Sequence, residues 1–249
     1  MKKLLLILLC LPMIGFGQTL IPDANFEQAL INLGYDTGTP DGLVPTANIN
    51  TVDTLSINNL NITNLMGIED FTALLYLSCS SNQLTSLDVS NNDSLTFLVC
   101  YDTQLTSLDV SANTALTYLM CRHNQLTSLD VSTNTALTNL YCSYNQLTSL
   151  DVSTNTALTD LSCGFNQLTS LDVSNNTALT ALGCAFNQLT TLDVRNGNNI
   201  NFWNFASGVN PNLTCINVDD STWATANWTW ANYNIDSWAY FSTNCSIYG

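Results

Sequence analysis

Residues 74–194 restate one 21-residue unit, written LTYLMCRHNQLTSLDVSTNTA at residues 116–136. Six cysteines keep the beat: Cys79, Cys100, Cys121, Cys142, Cys163 and Cys184, each 21 residues after the last. A fixed period in the range of about 20–50 residues signals stacked copies of one supersecondary unit, none of which can bury its apolar side alone.

Each unit holds two similar halves. The first, L-x-x-L-x-C-x-x-N, takes ten residues with its turn, and the second, L-x-x-L-D-V-S-x-N, takes eleven. Leu119 and Cys121 alternate with Tyr118, Met120 and Arg122, and Leu129 and Val131 alternate with Ser128, Asp130 and Ser132. This period of two belongs to a strand with one buried face. The pattern predicts a mainly β repeat solenoid of about eight rungs, with two parallel sheets, one per half, and little helix. Rungs then advance by ~4.7–4.9 Å, the spacing of neighbouring strands. Less regular coils begin near Val52 and carry Leu55, Ile57, Leu60, Ile62, Leu65, Ile68 and Phe71. After Asp193 a last irregular rung is expected from Ile200, Trp203, Phe205, Leu213, Ile216 and Val218.

The pattern L-x-x-L-x-C-x-x-N-x-L, present across residues 54–219, resembles the leucine-rich repeat, with Cys at a position more often Leu. Its doubled half-unit is similar to a 21-residue bacterial subclass of that family. The flanks IPDANFEQALINLGYDTGTPDG and TCINVDDSTWATANW resemble the caps of secreted leucine-rich-repeat proteins from bacteria with a type IX secretion system. Such relatives often continue into further surface modules or a C-terminal sorting domain, and this sequence ends at Gly249.

The ends of the array read differently from its middle. Residues 1–17 form a cleavable targeting segment: Lys2 and Lys3, an apolar run from Leu4 to Ile14, then Gly15-Phe16-Gly17. That run is too short to span a bilayer as a helix, and no later run is longer, so no transmembrane span is expected after cleavage. Residues 18–51 form an N-terminal cap with one short helix over residues 23–34, its Phe26, Leu30 and Leu33 on one face. A solenoid end exposes core and needs such a cover. The loop from Asp36 to Gly42 invites a calcium reading, but Gly38 and Pro40 fall where ligands belong, so a plain turn is expected. The solenoid proper takes residues 52–213 and a C-terminal cap takes residues 214–249. Cys215 and Cys245 lie off the beat in an exported chain and are expected to form a disulfide. The aromatic residues around them, Trp223, Trp228, Trp230, Trp238, Tyr240 and Phe241, read as a lid on the last rung rather than a sugar platform.

Charge narrows the partners. The sequence holds four basic and 19 acidic residues, for a formal charge of −15. Loss of Lys2 and Lys3 with the targeting segment leaves Arg122 and Arg195 against all 19 acids, a charge of −17. With no basic stripe, nucleic acid is not expected as a partner, and anionic membrane surfaces are poor candidates too.

Three columns of polar or reactive residues ask for an explanation. The inward cysteines lack the paired spacing of metal ligands and fit small buried hydrophobes. Asn82, Asn124, Asn145, Asn166 and Asn187, interrupted by Thr103, form one turn column, and Asn92, Asn113, Asn134, Asn155 and Asn176, ending at Gly197, form another. Both are expected to satisfy backbone groups where the chain bends. Asp88, Asp109, Asp130, Asp151, Asp172 and Asp193 make an acidic column on the second sheet. A hydrogen-bonded structural ladder is the first reading, and weak calcium binding by adjacent carboxylates is the second. No metal site and no cofactor is otherwise expected.

The repeats differ mainly on the outer face of the first sheet. Tyr76, Phe97, Tyr101, Asp102, Tyr118, Met120, Arg122, His123, Tyr141 and Tyr144 gather there among small polar residues. Exposed aromatics and Arg are common anchors at interfaces. Tyr101, Tyr118, Arg122 and Tyr141 are the better contact candidates, whereas Phe165 and Phe186 are expected to fold over the turn as edge packing. Catalysis is not expected: no credible nucleophile–base pair exists, and Asp102 and Asp160 sit on the order of 14 Å apart at strand spacing, too far for a carboxylate pair. The expectation is a secreted or cell-surface module that binds protein or glycan, with a structural spacer as the alternative.

Overall fold

The computed structural model describes residues 17–232 and 234–245, so the targeting segment at residues 1–17, apart from Gly17, lies outside the described residues. Stacked rungs build an eight-stranded parallel sheet, the first sheet, from Thr54–Ser56, Tyr76–Ser78, Phe97–Val99, Tyr118–Met120, Asn139–Tyr141, Asp160–Ser162, Ala181–Gly183 and Asn204–Ala206. The strands sit in register, for example Leu98 beside Leu119 and Leu119 beside Leu140. Six inward positions per regular rung, such as Leu116, Leu119, Cys121, Leu126, Leu129 and Val131, are buried in one continuous core. Both halves of each unit therefore face inward, as their alternation predicts.

The second sheet is shorter than the repeat implies. Among the described residues only Ser170–Asp172, Thr191–Asp193, Cys215–Asn217 and Tyr240–Ser242 pair as its strands, and one isolated bridge joins Asp88 to Asp109 further up. Electrostatics contributes to the difference, although the Asp88–Asp109 bridge itself forms between two aspartates. In the register of this sheet the acidic column runs Asp172, Asp193, Asn217, Ser242, so pairing takes hold where the charge runs out. Arg195 also ion-pairs with Asp193 at this place. Further up, aspartates follow one another without a cation, and like charges side by side oppose close pairing.

The N-terminal cap contains more than one helix. Helix α1 spans Ala24–Asn32, α2 spans Thr46–Ile49, and Gln18–Leu20 pairs antiparallel with Leu43–Pro45. Asp23 caps α1 through one carboxylate oxygen, accepting from the Asn25 and Phe26 amides. Its other oxygen accepts from the Thr63 amide and hydroxyl and from Asn64, which ties the cap to the first coil. Burial works to raise the Asp23 pKa, but the hydrogen bonds from Thr63, Phe26 and Asn25 outweigh it and hold it below the ordinary value. Phe26 and Leu30 enter the core while Leu33, at the C-cap, is 48% exposed, so the apolar face of α1 is shorter than its periodicity implies. The Asp36–Gly42 loop closes on a protein carboxylate: the Asp41 and Gly42 amides both donate to Glu27, at 2.7 Å each.

At the other end, Cys215 and Cys245 form the expected disulfide, with Cα atoms 5.7 Å apart. Trp228 is buried against Phe205, Phe202 and Phe241, with Trp223 at its edge, so the lid is real but built on one tryptophan. Helix α3, Ser221–Asn227, starts this lid behind an Asp220 cap. Ile200 and Trp203 do not join the last rung. They are 65% and 71% exposed, and Phe202 fills the place instead. Leu60 is likewise exposed in the first coils.

Candidate recognition face

The first sheet is held by two kinds of turn, and these decide what its outer face presents. At the end of each first half an asparagine closes the bend. Asn145 donates to the carbonyls of Cys121 and Cys142 and accepts from the Leu126 amide. Asn124, Asn166 and Asn187 repeat this geometry with their own neighbours, and Asn210 extends it one rung further. In the second rung Thr103 replaces the amide and donates to Asn124 and to the Cys100 carbonyl. In the other column Asn113, Asn134, Asn155 and Asn176 each donate to a valine and an asparagine carbonyl of the preceding rung. That column does not stop at Gly197, because Asn196 donates to the Asn176 carbonyl in its place.

The cysteines sit one column away, free and fully buried. Burial pushes the Cys79, Cys121 and Cys184 thiols up to about 12 and raises Cys100, Cys142 and Cys163 as well. Such thiols stay protonated and act as small apolar spacers.

On the second half the acids are held locally. Ser90, Ser111, Ser132 and Ser153 donate their backbone amides to Asp88, Asp109, Asp130 and Asp151. Side-chain and backbone bonds from these serines hold all four carboxylates below their usual range, with the backbone bond leading at Asp130 and Asp151. Among the described residues no cluster of three or more His, Cys, Asp or Glu side chains has the arrangement of a metal site.

Between the asparagine turn and the strand lies a residue in left-handed backbone in every regular rung. Ser81, Asp102, His123, Tyr144, Phe165 and Phe186 have φ between 52° and 58°. Left-handed backbone costs a non-glycine residue roughly 1–2 kcal/mol, so the surrounding bonds must enforce it. Each of these amides donates to the next rung, as His123 does to Ser143 and Tyr144 to Gly164. The side chains are thereby thrown outward in one file. His123, Tyr144, Phe165 and Phe186 stack in series with ring centroids 4.0–4.1 Å apart. Phe165 and Phe186 pack on each other along the turn, but as part of the exposed stack rather than as covered edge packing. They remain 38% and 45% exposed, because the turn aims them away from the core. They belong with His123 and Tyr144.

A second stack runs along the strands themselves. Tyr76, Phe97 and Tyr118 lie in register with centroids 4.8 and 3.9 Å apart, and Tyr141 tilts against Tyr118 at 5.4 Å. These rings are half-buried in one another. Burial first, then the Asp160 and Tyr76 charges, raises the Tyr118 pKa, and nearby Arg122 opposes the rise. The Tyr141 hydroxyl donates to Asp160 at 2.8 Å, and burial with this bond pushes it up to about 12.

Between the two stacks Tyr101, Met120, Arg122 and His123 line a shallow recess of about 210 Å³. Tyr101 is exposed, Met120 and Arg122 half-exposed, and Asp102 accepts from the Ser81 hydroxyl beside them. Thus the face brings together Tyr101, Met120, Arg122 and His123, adds Asp102 at one side, and sets Tyr76, Phe97, Tyr118 and Tyr141 in a separate file. Tyr144 sits in the turn file.

The two-half rung, the asparagine turns and the stacked parallel strands decide the architecture. The fold is a leucine-rich-repeat solenoid. The chain is similar to the functional domain of InlJ from Listeria monocytogenes, a domain that includes a cysteine ladder, with 34% identity and a TM-score of 0.61 over 81% of this chain and 52% of that one. It therefore spans about half the length of that domain. It is similar in fold to internalin C2 of the same organism, at a TM-score of 0.71 and 21% identity over 90% of this chain and 95% of that one. A leucine-rich-repeat protein of Leptospira interrogans matches at a TM-score of 0.56 and 25% identity, over 70% of this chain and 45% of that one. No protein-family model and no curated protein matches the chain. The structural neighbours are bacterial leucine-rich-repeat proteins, with internalins among them.

Proposed function

We propose that this chain is a non-enzymatic binding or adhesion module of the cell exterior, which recognises protein or glycan through the variable face of its first sheet. One observation carries the reading. Along the solenoid the other main columns repeat nearly unchanged, as core, as turns or as the uniform outer Asp and Ser of the second half, whereas the outer columns of the first sheet vary and collect aromatics, Met120 and Arg122. Large side chains held on a rigid ladder lose little freedom on binding, which favours affinity. The likeness to bacterial internalins points the same way. The exterior location rests on the targeting pattern of residues 1–17 and on the Cys215–Cys245 disulfide, a bond of oxidising compartments. Among the described residues no helix is long and apolar enough to cross a membrane.

The test is capture. The mature chain is screened on glycan and protein arrays beside a variant with Tyr101, Tyr118 and Arg122 changed to Ala. The proposal expects ligands for the parent chain and loss of at least ~10-fold in affinity for the variant, as removal of interface anchors of this kind produces. Indifference to the triple change, in a variant with unaltered circular dichroism, overturns it in favour of a spacer.

A further inference from the structure

The recess beside Arg122 has a chemistry of its own. Arg122 has no ion-pair partner among the described residues, although the sequence holds 19 acids and Arg195 has found one. Its Nε is buried without a hydrogen-bond partner. A buried guanidinium donor left unpaired carries a desolvation cost that a ligand acceptor relieves. Arginine presents parallel N–H groups that match a carboxylate in a bidentate pair.

Ring geometry adds the second constraint. Within a file of stacked rings the faces are covered and only edges meet solvent. Tyr144 covers one face of His123 at 4.1 Å, but the next residue of the file is Asp102, which has no ring. The stack of rings in the turn file therefore ends at His123, which lines the recess together with Tyr101, Met120 and Arg122. The recess thus sets a donor fork for a carboxylate beside the rings of Tyr101 and His123 and the apolar side chain of Met120. Its ~210 Å³ falls below the roughly 300–1,000 Å³ of sites that enclose a whole small molecule, so it takes one ring-sized group of a larger ligand.

We propose that this recess binds a single acidic sugar residue, a pyranose carrying one carboxylate, on an otherwise uncharged glycan. The strongly acidic chain repels polyanions, so one carboxylate on a neutral body is the favoured form. The proposal rests on the recognition reading above and names the ligand class for that face.

The experiment compares methyl glucuronoside with methyl glucoside, which differ by the carboxylate, and adds N-acetylalanine as a peptide-type carboxylate without a sugar ring. Binding to the mature chain is followed by NMR, through the Arg122 Nε–H and the His123 ring signals. The glucuronoside is expected to shift both signals and to bind at least ~10-fold more tightly than either of the other two, with the difference shrinking as salt rises. Arg122→Gln is expected to erase the preference over the glucoside while leaving the melting temperature unchanged. Equal binding of glucuronoside and glucoside overturns the proposal, as does equal binding of N-acetylalanine or a preference that survives Arg122→Gln. Should the glucuronoside fail while the triple face variant still loses array ligands, this assignment falls and the recognition reading stands.

Discussion

The two halves of each rung share one core and differ in what they do with their outer faces. The second half carries the same outer Asp and Ser in rung after rung, and each carboxylate closes on the serine two residues on. The first half carries a different outer residue in nearly every rung, and its large side chains lean on those of neighbouring rungs. The more uniform face is the less completely paired sheet, four strands against eight. Uniformity of sequence therefore does not measure strength of pairing. A repeated charge is satisfied locally and still repels its copy one rung away.

The comparison depends first on the core that both halves share. Leu119→Ala removes a fully buried side chain between the rungs and is expected to cost about 2–5 kcal/mol in urea unfolding. A loss below about 1 kcal/mol would show that the rungs relax independently. Next comes the end of the second sheet. Cys215→Ser is expected to cost about 2–5 kcal/mol, seen as early loss of Trp228 fluorescence. Were Trp228 to melt only with the whole array, the disulfide would not be holding the lid.

The repetition made the rung legible from sequence alone: which residues enter, which turn, and why the cysteines are inert. It did not show that regular pairing in the second sheet is confined to its C-terminal end, because the pattern of Asp130 is identical to that of Asp172 and only the neighbours differ. Nor did it show the second short helix α2, the Glu27 clasp on the Asp41 and Gly42 amides, or the exposure of Ile200 and Trp203. These depend on contacts outside the beat. The turn file was half legible. His123 and Tyr144 stood out as variable, but Phe165 and Phe186 read as packing because nothing in sequence marks left-handed backbone at a phenylalanine. The Q-L that follows one residue later in all six rungs, behind Asn in five and Thr103 in one, was the available signal, since it places all six residues at one point of the same turn.

Smaller effects sharpen the contrast between the faces. Phe165→Ala interrupts the turn file, where Phe165 stacks between Tyr144 and Phe186. It is expected to cost about 0.5–1.5 kcal/mol for each ring pair it breaks, measured by thermal melting. The acid column gives a pH dependence. The folded pKa values of Asp88, Asp109, Asp130 and Asp151 lie below the ordinary value. Their contribution is therefore present above an unfolded pKa near ~3.9 and is lost as pH falls through the lower folded values. Melting temperature is expected to fall in that acid window and to stay level from about pH 5 to 7. The smallest effect is Asp130→Asn with Asp151→Asn. The amide keeps an acceptor for Ser132 and Ser153 while relieving repulsion, so the melting temperature is expected to stay close to the parent's. Amide exchange in the second half is expected to slow as pairing extends, and unchanged exchange would count against repulsion as the cause of the short sheet.

The most direct test sets the two faces against each other. Array capture is measured for three chains: the parent, the Tyr101, Tyr118 and Arg122 triple-alanine variant, and the Asp130→Asn, Asp151→Asn variant. Recognition by the first sheet predicts capture by the parent and the acid-column variant alike, with the triple variant weakened by at least ~10-fold. Loss of capture in the acid-column variant, with the triple variant still binding as the parent does, would contradict it.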